Sequence, residues 1–310
     1  MEYARRAVID VGTNSIKLLV ADVAGCVVHP VHEESRQTRL GQGFYDTRRL
    51  QPGSIARTAE AVGEFSRLAR EHHAVAIRVI ATSAARDATN PRELAEAIER
   101  ASGLPTEIIS GAREAEWTFQ GAATDAELCR GPLFLLDIGG GSSEFILGQG
   151  KTLHFARSFP LGTVRLMEKF PRSDPPTEAD FQECRDWLRD FLLREVRRPL
   201  EPALQAETGE TLLAGTGGTA SILACLEKKL DHFDRAQIES TVLTFDQVAG
   251  WRQNLWGLPL AQRREIPGLP KNRADVILTG VLIYELVMEE FGFEKLRVST
   301  RGLRFAAVME

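Results

Sequence analysis

The hexapeptide Asp10-Val11-Gly12-Thr13-Asn14-Ser15 returns in altered form as Asp137-Ile138-Gly139-Gly140-Gly141-Ser142, and each copy lies between short apolar runs. Ala7 to Ile9 and Leu133 to Leu136 read as buried strands, with Ile16 to Ala21 and Glu144 to Leu147 as their returning partners. Each copy is therefore a β-hairpin with a carboxylate at its tip. Glycine and small hydroxyl residues leave backbone N–H groups unobstructed, so such a tip can wrap an anionic oxygen while the aspartate holds a metal ion or water. Two tips facing each other would grip a phosphate chain. A third glycine-rich turn, Ala214-Gly215-Thr216-Gly217-Gly218-Thr219, lies between a strand and a helix whose N-terminus would point its positive dipole toward an anion.

At 310 residues the chain suits two domains of roughly 100–200 residues each. With 43% hydrophobic residues, 26% charged residues and a formal net charge of -5, it offers no global attraction for nucleic acid or acidic membranes, and neither is expected as a partner. Any polyanion must be held by local groups. Cys26, Cys129, Cys184 and Cys225 form no CxxC pair and lie in apolar sequence, which favours reduced thiols and argues against a zinc site. A strand begins within about seven residues of the start, leaving no room for a signal peptide, and no apolar run approaches the ~20 residues of a membrane span. A cytoplasmic protein is expected.

Strands and helices alternate along the first half, an α/β pattern. Ile55, Ala59, Val62, Phe65 and Leu68 recur at helical spacing, with Ser54 placed as the cap, and Ala74 to Ala81 reads as a strand. Asn90-Pro91-Arg92-Glu93 has the pattern of a capping box, opening a helix that ends near Gly103. A strand at Thr106 to Ile109 and a helix over Arg113 to Gly121 follow. The polar stretch from Thr124 to Gly131 marks a domain boundary. Beyond it come the second hairpin, a proline-rich loop at Pro171 to Pro176 and a long amphipathic helix from about Thr177. A strand at Leu212 to Ala214 and helices near Thr219, Asp246 and Arg273 complete the pattern. Val276, Ile277, Gly280, Val281, Tyr284 and Val287 share one helical face, which reads as core. His72 and His73 close a helix, where contact with its last carbonyls explains them better than metal binding.

Six stretches in order extend the hairpin signal. They are Ile9 to Ser15, Ala81-Thr82-Ser83-Ala84-Ala85-Arg86-Asp87-Ala88-Thr89-Asn90, Ile109-Ser110-Gly111-Ala112-Arg113-Glu114-Ala115, Asp137 to Glu144, Pro160-Leu161-Gly162-Thr163-Val164-Arg165-Leu166, and Arg273-Ala274-Asp275-Val276-Ile277-Leu278-Thr279-Gly280. Together they resemble, nearly end to end, the exopolyphosphatase/guanosine pentaphosphate phosphatase family of the actin, hexokinase and heat-shock chaperone ATPase superfamily. The resemblance implies an α/β fold of two ribonuclease H-like (actin-like ATPase) lobes around an interdomain cleft. The first lobe would comprise residues 1–123 plus about 301–310, with the C-terminal helix crossing back, and the second residues 124–300. Longer family members carry further C-terminal domains, including an HD-type domain. This chain matches a short form without them, which implies a preference for shorter polymers.

The implied activity is hydrolysis of the terminal phosphate of inorganic polyphosphate, or of the 5′ terminal phosphate of guanosine pentaphosphate, with Mg2+ as cofactor, Mn2+ as its substitute and a monovalent cation as an addition. A homodimer is also implied. Carried over by position, Glu114 matches the glutamate that activates water, and Asp137 and Glu144 match acidic residues that handle metal and phosphate, with Asp10 as a further metal candidate. The phosphate-binding set comprises Gly12, Thr13, Asn14, Ser15, Arg86, Gly139, Gly140, Gly141, Ser142, Ser143, Gly215 and Gly217. The chemistry is coherent, because phosphoryl transfer needs positioning and charge neutralisation, and a carboxylate that orients an in-line water supplies what glycine loops lack. Arg86 has two readings, a planar donor fork for phosphate or a surface partner of Asp87 or Glu93. Arg165 and Arg273 stand beside helices, where surface ion pairs are common, and Glu116 reads as a solvated first-turn glutamate. The competing functions are a kinase or ATPase of the wider superfamily and a non-catalytic sensor of a phosphorylated alarmone.

Overall fold

Apolar residues at successive positions of β1 (Ala4–Val11) face two different cores, which is why the strand reads as a continuous apolar run. A computed structural model describes residues 2–310. They divide into two compact units, one running to Thr124 and taking up Arg301–Glu310, the other Asp125–Thr300.

In the first unit β1 pairs antiparallel with β2 (Ser15–Ala24), and β2 with β3 (Val27–Gln37). The long helix α1 (Pro52–Glu71) leads to β4 (Ala76–Ala81), which joins β1 in parallel. Then come α2 (Ser83–Asp87), α3 (Pro91–Ser102), β5 (Thr106–Ile108) and α4 (Gly111–Ala122), giving the strand order β3-β2-β1-β4-β5. Ile9, Val11, Leu18 and Val20 form one core with Val62 and Phe65 of α1 and Leu94 and Ile98 of α3. Val8, Leu19 and Ala21 form the other with Trp117 of α4.

Two helix starts differ from the expected caps. Ser54 lies inside α1, because Pro52 supplies the fixed φ of a first helical position and begins the helix three residues earlier than a Ser54 cap would. Asn90 does precede α3, but its carbonyl accepts from Leu50 N at 2.9 Å and its amide donates to Glu93, so it ties two loops together instead of capping.

The second unit repeats the plan. Strands β6 (Pro132–Ile138), β7 (Ser143–Gln149) and β8 (Thr152–Phe159) form an antiparallel meander, followed by α5 (Thr163–Lys169). Helix α6 (Glu178–Phe191) starts with a true capping box between Thr177 and Asp180, then passes through a π-helical stretch, Leu192–Arg197, into α7 (Arg198–Ala206). Strand β9 (Leu212–Thr216) joins β6 in parallel and feeds α8 (Gly217–Lys228). After α9 (Arg235–Glu239), β10 (Val242–Thr244), α10 (Phe245–Trp256), α11 (Leu260–Arg263) and a short 3-10 turn, Lys271–Arg273, α12 (Ile277–Phe291) crosses the core to β11 (Lys295–Val298). The sheet order is β10-β11-β9-β6-β7-β8. Helix α12 is buried on every side from Ile277 to Met288, not on one face, because the sheet and other helices enclose it. The chain ends in α13 (Leu303–Ala307), which packs Phe305 and Ala306 beside Trp117 in the first unit.

No helix among the described residues is long and apolar enough to cross a membrane. All four cysteines are free; Cys184 is buried, and burial pushes its thiol up to about 11, whereas Cys26 is exposed in a turn and so departs from the apolar setting expected of it.

Candidate active site

The two hairpin tips share one geometry. Gly12 N donates to Ser15 O at 3.1 Å, and Gly139 N donates to Ser142 O at 2.9 Å. A Cβ on either glycine would lie 2.9 Å from that same oxygen, so both turns close only around hydrogen. The likeness extends across the sheets. Antiparallel register aligns Ser35, Lys17 and Asp10 in the first unit and Ser158, Glu144 and Asp137 in the second, each row on one face of its sheet. The rows differ at their centre, where Lys17 stands in the position that Glu144 occupies. Sequence reasoning omitted Lys17 and Ser158, which become neighbours of Asp10 and Glu144 only through strand pairing.

In the first unit Thr13, Asn14 and Ser15 are 3%, 5% and 6% exposed, and Thr13 Oγ1, Asn14 Nδ2 and Ser15 Oγ have no hydrogen-bond partner among the described residues. Gln37 Nε2 donates to Asn14 Oδ1 at 3.0 Å, which fixes the amide and aims its Nδ2. Buried donors are almost always satisfied, so three at one tip mark a place for acceptor oxygens such as those of phosphate. Helix α2, which follows β4, adds Ser83, whose buried Oγ is likewise unpartnered, and carries Arg86.

Arg86 keeps Asp87 as an expected partner and gains another that the sequence did not indicate. Its Nη1 donates to Glu114 Oε2 at 2.8 Å and to Ile109 O at 3.2 Å, while Glu93 pairs elsewhere, with Arg49. Its Nε lies 3.9 Å from Asp87 Oδ1. Glu114 stands in the first turn of α4, started by Ser110 accepting from Arg113 N at 3.2 Å, and is 8% exposed. The neighbouring Glu116 pairs on the surface with Arg113.

In the second unit Asp137 and Glu144 are direct cross-strand partners. Glu144 is buried and accepts from Ser158 Oγ at 2.7 Å. Gly217, at φ +82°, brings the third turn so close to Asp137 that a Cβ there would overlap the Oδ1 atom. Gly215 lies within β9 and makes room for Tyr284, whose hydroxyl donates toward Leu136 O at 3.2 Å and Thr216 O at 3.4 Å. Burial, and then the charge of Asp137, push the Tyr284 phenol well above its ordinary range, so it remains a neutral donor. Ser143 commits its hydroxyl proton to Leu161 O at 2.7 Å, so its side chain has no donor left for a phosphate oxygen. Gly140, Gly141 and Ser142 occupy the tip itself, and Arg273 Nη2 lies 3.8 Å from where a Cβ on Gly218 would be, beside the third turn.

Among the described residues no three His, Cys, Asp or Glu side chains converge on a common metal position. A closed zinc-type site does not fit. A hard octahedral cation that keeps waters and takes substrate oxygens needs only one or two carboxylates, which Asp137 and Glu144 provide on one face. Asp10 shares its row with Lys17, so the first unit offers a single carboxylate there. His72 stacks on His32 with ring centroids 4.6 Å apart, an aromatic contact that the sequence did not indicate.

Two units with equivalent strand order, each presenting a glycine turn after its first strand, define a mixed α/β protein built on one repeated plan. The chain belongs to the Ppx/GppA phosphatase family, whose model matches residues 19–309. It is 37% identical to exopolyphosphatase 2 of Mycobacterium tuberculosis over 320 aligned positions, covering 98% of this chain and 97% of that protein. The solved structure of the Aquifex aeolicus PPX-GPPA enzyme superposes with a TM-score of 0.79 at 30% identity, covering 99% of both chains. That of an exopolyphosphatase from Cytophaga hutchinsonii superposes with a TM-score of 0.86 at 29% identity, covering 97% of this chain and 96% of that one.

Proposed function

We propose that the protein is an exopolyphosphatase, releasing orthophosphate from the end of an inorganic polyphosphate chain. The observation that carries this reading is Glu114, a nearly buried carboxylate held at 2.8 Å by Arg86 in a unit whose hairpin tip presents unpartnered donors. In this reading Glu114 accepts a hydrogen bond from water, aligns its lone pair with the terminal phosphorus and takes up the proton as the new P–O bond forms and the bridging P–O bond breaks, the shortened polyphosphate leaving through its oxygen. Thr13, Asn14 and Ser15 supply side-chain donors to phosphate oxygens, and the backbone N–H groups of Gly140, Gly141 and Ser142 supply others. Asp137 and Glu144 would hold Mg2+ or Mn2+, which when bound neutralises charge on the phosphate oxygens. Ser158 keeps Glu144 oriented for that task.

The same groups suit the terminal phosphate of guanosine pentaphosphate, and the family's name covers both activities. Phosphate release should therefore be measured with polyphosphates of several lengths and with guanosine pentaphosphate, each with and without Mg2+. Mg2+-dependent release from polyphosphate at higher kcat/KM supports the proposal. Preference for guanosine pentaphosphate replaces it with the second activity, and tight binding without release replaces it with a sensor.

A further inference from the structure

Three successive carbonyl groups of the second hairpin tip are held by one short segment. Gly139 O accepts from Thr163 N at 3.0 Å, and Gly140 O accepts from Val164 N at 2.8 Å and Arg165 N at 3.1 Å. Gly141 O accepts from the side chain, Arg165 Nε, at 2.9 Å. The first amides of α5, which a helix ordinarily leaves without internal partners, are thus directed to the turn and not to an anion. Gly162 permits the close approach, since a Cβ there would lie 2.5 Å from the Gly140 carbonyl carbon.

A trans peptide points its C=O and the following N–H in opposite directions. Fixing three successive carbonyls toward α5 therefore turns the N–H groups of Gly140, Gly141 and Ser142 the other way, together. Convergent N–H groups are what an anion nest requires. Because glycine has a wide choice of φ and ψ, nothing within the sequence Gly139-Gly140-Gly141 would itself hold that arrangement.

The first unit solves the same problem with backbone. Gly41 N donates to Thr13 O at 2.8 Å, while Thr38 N and Arg39 N donate to Asn14 O at 3.2 and 3.0 Å. This segment also follows the third strand of its meander, so the two clamps occupy equivalent places in the two units. In the second clamp the last peptide before Ser142 is held by a side chain, and its tip carries two more glycines than Asp10 to Ser15 does.

We propose that Arg165 is a positioning residue for phosphate binding: its Nε–H locks the Gly141 carbonyl and thereby aims the Ser142 N–H. This rests on reading Gly139 to Ser142 as a phosphate-binding turn. The substitutions Arg165→Gln and Arg165→Met separate positioning from charge. Glutamine carries an N–H donor on its Cδ, as arginine does, without the charge, whereas methionine places a methyl group there.

The experiment measures KM and kcat for phosphate release, tripolyphosphate binding by calorimetry, and thermal midpoints for the wild type and both variants. Loss of one charge-assisted hydrogen bond at the turn should raise KM and the tripolyphosphate Kd of Arg165→Met about tenfold, with kcat and thermal midpoint little changed. Arg165→Gln should remain near wild type. Equal impairment of both variants would show that the guanidinium acts through its charge, and unimpaired binding by Arg165→Met would show that the turn holds itself; either overturns the inference. A methionine variant that does not fold is replaced by Arg165→Leu, judged against the glutamine variant by the same binding ratio. A wild-type protein that binds no tripolyphosphate overturns the phosphate-turn reading, and this inference with it.

Discussion

Arg86 Nη1 lies 2.8 Å from Glu114 Oε2, joining α2 to the first turn of α4 across 28 residues of sequence. The same nitrogen donates to Ile109 O, so the guanidinium is fixed against the segment that begins the helix. With Glu114 8% exposed, removing the cation from this nearly buried pair would leave an uncompensated charge.

Glu114→Gln should preserve the fold, because the amide oxygen can still accept from Arg86, and should lower phosphate release roughly 10²–10⁴-fold. Arg86→Met should lose stability as well as activity. The loss expected is about 2 kcal/mol, below the range for fully buried pairs because solvent reaches part of the guanidinium. Steady-state rates and urea midpoints on both variants check this. A glutamine variant with normal turnover would remove Glu114 from the mechanism.

Gly217→Ala should disturb the carboxylate of Asp137 directly. At φ +82° the alanine is strained by about 1–2 kcal/mol, and its methyl group occupies the place of Asp137 Oδ1. Turnover should need a higher Mg2+ concentration, seen as a right-shifted metal titration of the rate. An unchanged titration would argue that Asp137 does not handle the metal.

Tyr284→Phe deletes a buried hydroxyl that donates toward the carbonyls of Leu136 and Thr216, the strand residues immediately before Asp137 and Gly217. The expected loss is about 1–2 kcal/mol, the net value of a hydrogen bond whose acceptors lose a buried partner. Urea unfolding measures it. A midpoint equal to wild type would mean that these carbonyls are satisfied without the phenol.

Asp180 governs part of the acid response. The Ser173 hydroxyl, followed by the backbone and hydroxyl of Thr177, pulls its carboxyl down from 3.8 to about 2. Because the folded value lies below the unfolded one, its contribution is complete above about pH 4 and is lost as the pH falls through about 2. Asp180→Asn should therefore show a shallower decline in urea midpoint over that window. Parallel declines in both proteins would place the acid sensitivity elsewhere.

Both hairpins are legible in the sequence because their apolar runs are short, their turns contain glycine, and the residues that pair are neighbours along the chain. The start of α6 is legible for the same local reason, since Thr177 and Asp180 bond each other across three residues. Ser54 and Asn90 mislead because local pattern cannot weigh a cap against Pro52 or against a carbonyl and amide of Leu50, 40 residues away. Tyr284 reads as simple core, and its polar tip beneath the Asp137 turn shows only when α12 lies against β6 and β9.

The sequence by itself determined the two glycine-tipped hairpins, the alternation of strands and helices and the family to which the chain belongs, since all three rest on residue order. Only the tertiary structure decided which groups work together: Arg86 with Glu114, Ser158 with Glu144, Gly217 against Asp137, and the α5 segment on the second turn. The reason is physical. A hydrogen bond or a steric limit depends on distances of a few ångströms, and between segments far apart in the chain those distances exist only after the sheets have set their register.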